Sequence, residues 1–147
     1  MSASQTVGLT NINHVELSLE ADAQMLFLAR MTGAAVAARA DFDYEQIEDL
    51  RLAIDELCVQ LMSSRSGPAR ITLQFHWDDD GVMDVMGTRV TDERFAGVTD
   101  GVSPGATLAS HELSERILDA LVDDHGEDMI GGVQRAWLRI RRQDPVG

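Results

Sequence analysis

Lysine is missing altogether from this chain of 147 residues, in which all twelve basic side chains are arginines. Its absence excludes a Walker-type loop, whose lysine reaches the phosphates, and any Schiff-base chemistry. Cysteine is nearly absent too: Cys58 stands alone, so no intrachain disulfide can form. Positive charge is scarce, with 12 basic against 25 acidic residues, a net charge of -13 and a pI near 4.5. Such a balance disfavours direct binding to nucleic acid or an anionic membrane, both of which use basic patches to displace counterions. A basic or mixed-charge protein partner suits it better. No run of about 18 apolar residues occurs, and the opening MSASQTVGLTNIN lacks a charged segment followed by an apolar one, so a cytoplasmic protein is expected. No internal repeat, linker or second domain is visible. The expected organisation is a flexible N-terminus over residues 1–12 and a single domain over 13–143.

The most demanding stretch runs from Asp49 to Ser64. Ile47, Leu50, Ile54, Leu57 and Leu61 recur at helical steps, and Ala53, Cys58 and Met62 widen the stripe, so one face must be buried. Cys58 on that stripe reads as a small core hydrophobe. On the flank, Leu52, Glu56 and Gln60 follow at i, i+4 and i+8, stacking one acid over one amide at the edge of the buried face. Two readings fit this pair: a solvated helix flank, or the acid and amide of a metal-nucleotide site at a cleft edge.

Around this helix the remaining elements fall in order. HVELSL, from His14 to Leu19, alternates as a strand with one covered face, and Asp22 supplies an N-cap for the next helix. That helix, Met25 to Arg39, is apolar on more than one side, which suggests a second contact such as a subunit or partner interface. Arg30 within it is either a snorkelling side chain or part of that interface. The central helix starts near Asp43 or Tyr44. After a loop at Ser63 to Pro68, two alternating runs flank the turn DDDG and predict a hairpin, with Asp78 to Asp80 read as a solvated turn rather than a metal site. A long loop spans Thr91 to Ser110, followed by a helix over HELSERILDALVDD and a last hairpin broken at IGG. The order predicts an α+β two-layer sandwich, a largely antiparallel sheet with helices on one face.

That order, together with the texts FLARM and FDYEQIEDLRLAIDELCVQLMSS, resembles the anti-sigma regulatory kinases of the RsbW and SpoIIAB type. The resemblance runs from about Val15 to Arg142 and is strongest toward the actinobacterial RsbW branch. It implies the Bergerat fold of the GHKL (histidine-kinase-like) ATPases, ATP and Mg²⁺ as cofactors, and a homodimer. It also implies two partners: an alternative sigma factor of the stress or sporulation type, and a STAS-domain anti-anti-sigma antagonist that releases it.

Residue by residue, the resemblance puts Glu56 at the general base, Gln60 at the magnesium-ligating asparagine and Arg30 at the arginine that touches both partners. Gly87 and Thr88 fall at the adenine-reading turn, where Gly87-Thr88-Arg89 lacks the usual aspartate. Glu112 and Ser114 fall where glycines cradle the triphosphate, and the usual last-strand threonine has no counterpart among Gln134 to Trp137. Longer or charged side chains at such places hinder close backbone approach to phosphate. The expectation is an anti-sigma factor with a degenerate nucleotide site, the alternative being an active ATP-dependent serine/threonine-protein kinase acting on the antagonist.

Overall fold

The computed structural model describes residues 13–63, 67–91 and 108–143. Strand β1 (Asn13–Glu20) leads through a short 3-10 turn, Ala23–Met25, into α1 (Leu26–Arg39) and α2 (Tyr44–Ser63). Then come β2 (Ala69–Trp77), β3 (Val82–Thr91), α3 (Leu108–Leu121), β4 (Asp124–Ile130) and β5 (Val133–Arg141). The expected element order is thus observed. The loop expected at Thr91 to Ser110 is shorter at its end, since α3 begins at Leu108; its remainder, like the N-terminal segment, lies outside the described residues.

The strands form one five-stranded sheet in the order β1-β2-β3-β5-β4, every neighbouring pair antiparallel. Alternation decides which side meets the helices. Ile71, Leu73 and Phe75 of β2, Met83 and Val85 of β3, and Ala136, Leu138 and Ile140 of β5 point inward and are buried. Leu50, Ile54, Leu57 and Leu61 of α2 meet them with no exposed surface, each such burial contributing about 1.5–3 kcal/mol. Helix α2 therefore lies at the centre of the helical layer, packed against α1, α3, β3 and β5. Helix α1 approaches it closely at Gly33, where a Cβ would overlap the Ile54 side chain.

Local chemistry fixes the ends of α2. The Asp43 carboxylate accepts the Gln46 N–H at 2.8 Å, capping the first turn. The Gln46 amide then donates to the Arg141 carbonyl at 2.7 Å, tying the start of α2 to the end of β5. In the β2–β3 turn, Asp78 accepts from the backbone of Asp80 and Val82, so this acid serves the turn itself. The outer side of the sheet is polar, with Arg139 gripping Asp84 and Arg135 gripping Asp128, each through two hydrogen bonds. The Arg135 guanidinium holds the Asp128 carboxyl below its usual range.

Candidate functional site

A step of four residues on an α-helix overshoots one turn by about 40°, so a line at i, i+4, i+8 winds around the helix. On α2 it winds inward: Leu52 is 57% exposed, Glu56 is half-buried and Gln60 is only 5% exposed. The acid thus sits at the rim of the helical layer and the amide beneath it. Helix α3 packs beside this line, and the Ser114 hydroxyl donates to Glu56 Oε2 at 2.7 Å. Ser114 is itself buried, whereas Glu112, two residues earlier and on another face of α3, is exposed. The structure therefore joins Glu56 and Ser114 and leaves Glu112 facing solvent.

The sheet contributes the floor next to the end of α2. Gly87 points inward between Leu73 and Ala136 of the neighbouring strands, and a Cβ there would lie 2.6 Å from Leu61 Cδ1 and 2.8 Å from Leu57 Cδ2. Its lack of a side chain is what lets α2 sit down on β3. Thr88, the next residue, belongs to the opposite side of the sheet by alternation. Arg89 returns to the inner side and is 5% exposed. Its guanidinium donates to the carbonyls of Leu61 at 2.8 Å, Met62 at 3.2 Å and Gly67 at 3.1 Å. Beside it in β5, buried Gln134 donates to the Gln60 carbonyl at 3.3 Å. Two side chains of the sheet thus serve the carbonyls at the C-terminal end of α2, where the helix dipole favours a cation.

The parity of VMDVMGTRV carried the signal for this role: Arg89 shares the inward register of Met83, Val85 and Gly87, and an inward arginine needs acceptors. The Ser114 contact had no such signal, because it depends on how α3 docks against α2.

On the outer surface of the helical layer, Arg30 Nη1 donates to Asp55 Oδ1 at 2.8 Å, linking α1 to α2. Phe27 and Met31 flank Arg30 on α1, and Leu52 and Val59 flank Asp55 on α2; they are 48%, 62%, 57% and 40% exposed. The apolar surplus expected of α1 is therefore part of a patch that spans both helices around one ion pair. Directly beneath, Cys58 is fully buried, and desolvation with the nearby Asp55 charge pushes its thiol up to about 12.

A single antiparallel sheet under a layer of helices is an α+β fold consistent with the histidine-kinase-like ATPase class. No family model matches the chain. It is 32% identical over 140 residues to the anti-sigma-F factor RsbW of Mycobacterium tuberculosis, an alignment covering 89% of this chain and 75% of that protein. It is 27% identical over 127 residues to the serine-protein kinase RsbW of Bacillus cereus, covering 78% of this chain and 79% of that one. The chain belongs to the RsbW family. Among the described residues, no helix is long and apolar enough to cross a membrane.

Proposed function

We propose that this protein is a cytoplasmic, homodimeric anti-sigma factor that sequesters an alternative sigma factor of the stress or sporulation type until a STAS-domain antagonist displaces it. The observation that carries this reading is the exposed apolar patch of Phe27, Met31, Leu52 and Val59 around the Arg30–Asp55 pair. Contiguous apolar surface rimmed by polar groups is a docking surface for protein. Relatives named anti-sigma-F factor RsbW and serine-protein kinase RsbW supply the class of partner. Arg30 is the polar centre of the patch, and sigma factor and antagonist compete for it. A net charge of -13 suits a sigma factor, whose DNA-binding surfaces are basic.

In this reading binding alone does the work. The residues present fit a magnesium-bound triphosphate poorly: the Glu56 carboxylate accepts from Ser114, Gln60 is buried, Leu57 and Leu61 of α2 cover Gly87, and Thr88 faces the other side of the sheet. Release then depends on the antagonist's affinity and not on phosphorylation. The test is a tagged pull-down from the source cells with and without Mg-ATP, followed by mass spectrometry. A retained sigma factor, equal in both conditions, is expected; retention of no sigma factor in either overturns the anti-sigma role. Phosphotransfer to the antagonist that is lost in Glu56→Ala and raised in Gln60→Asn would instead identify an active serine/threonine kinase.

A further inference from the structure

Away from the α2 flank, a second set of chemically capable side chains meets between α3 and the edge strand β4. His111 and Glu115 are one turn apart on α3, and Glu127 extends from the inner side of β4 toward them. His111 Nε2 lies 2.6 Å from Glu127 Oε1 and 3.3 Å from Glu115 Oε1, and the three donor atoms all fall within 4.8 Å of one another. We propose that His111, Glu115 and Glu127 bind a divalent transition-metal cation of the zinc type between the start of α3 and β4.

The donor set selects the ion. A first-row divalent cation sits about 2.0–2.2 Å from imidazole nitrogen and carboxylate oxygen, so its donors are spaced about 3–4.5 Å apart. The observed triangle reaches that spacing through small side-chain movements. One imidazole with two carboxylates favours a borderline ion over Mg²⁺ or Ca²⁺, which prefer all-oxygen shells. Side-chain exposures of 39%, 50% and 32% give the ion a path in and leave a coordination position for water. The chain's net negative charge raises the local cation concentration. At the far end of α3, Asp119 meets His125 of β4, so the helix is already held along this seam, and the ion would pin its first turn.

The competing arrangement is a protonated His111 bridging the two carboxylates as an ion pair, with no affinity for metal. Titration of the full chain with Co²⁺ and Zn²⁺, followed by calorimetry and by the visible absorption of Co²⁺, separates the two. One ion per chain is expected, with His111→Ala and Glu127→Gln each weakening binding at least about tenfold. Glu127→Gln keeps an acceptor for His111, so it reports on the ion even if His111→Ala perturbs folding. His14→Ala serves as the control, because the contact of His14 with His76 on the outer side of the sheet is another place where imidazoles gather. Saturable binding that His14→Ala abolishes and His111→Ala leaves intact would overturn the proposal, as would the absence of saturable binding by either ion.

Discussion

Cys58 has no exposed surface, and its thiol is raised from 9.0 to about 12 chiefly by desolvation. A buried neutral thiol is a poor nucleophile, so an aromatic disulfide reagent at pH 8 should leave the folded protein unmodified and react with one thiol per chain in denaturant. Stoichiometric reaction under native conditions would mean that the α2 core opens readily. The same shift sets a sign for alkaline stability: the folded state holds this proton more tightly than the unfolded one. Its contribution is complete below pH 9 and fades as pH rises toward 12. Nearby, the Ser114–Glu56 contact makes a separate prediction. Ser114→Ala should lower stability by about 1.5 kcal/mol, the low end for a hydrogen bond to a charged group, since Glu56 is only half-buried. Urea unfolding of Ser114→Ala, Glu56→Gln and the double variant checks it, and strict additivity of the two changes would show that the groups do not interact.

Helix α2 depends on the sheet for its C-terminal end. Arg89 and Gln134 serve the carbonyls of Gln60, Leu61 and Met62, and removing the guanidinium leaves buried acceptors without their donor. Arg89→Met should therefore cost about 2–3 kcal/mol and speed amide exchange in the last turn of α2. Unchanged stability would show that solvent serves those carbonyls instead. Gly87→Ala should cost about 1–3 kcal/mol by a different route, since the new methyl would meet Leu57, Leu61 and Leu73 at once. These elements also show what the sequence can and cannot reveal. The apolar stripe of α2, both hairpins and the inward parity of Arg89 are periodic properties of one segment, and alternation or helical spacing makes them legible. The bond from Ser114 to Glu56 and the approach of His111 to Glu127 join residues 58 and 16 positions apart. Such meetings depend on the docking of α3, which no local pattern encodes. The resemblance placed Glu56, Gln60 and Ser114 near one another along α2 and α3, but it gave no hint that one would occupy the other's carboxylate.

The molecule has two faces of unlike character. Outside the sheet, arginines and aspartates pair across strands, while the surface of α1 and α2 exposes Phe27, Met31, Leu52 and Val59 beside the Arg30–Asp55 pair. A partner that buries this patch would gain apolar contact from it, and the net charge of -13 would speed its approach if it is basic. Contact and attraction separate experimentally. Phe27→Asp and Met31→Asp replace side chains already exposed to water, so folding stability should change by no more than about 0.5 kcal/mol while capture of the sigma factor falls at least about tenfold. Val90→Asp, an equally exposed apolar residue near the end of β3, should leave capture unchanged. Raising salt from about 0.05 to 0.5 M should slow association with the unaltered protein and change dissociation much less, because screening acts on charges still separated by solvent. Surface plasmon resonance with the captured sigma factor measures both rates. If the α1 substitutions bind like the unaltered chain while Val90→Asp does not, the partner docks on the sheet, and the helical patch must serve another contact, such as one with a second copy of the chain.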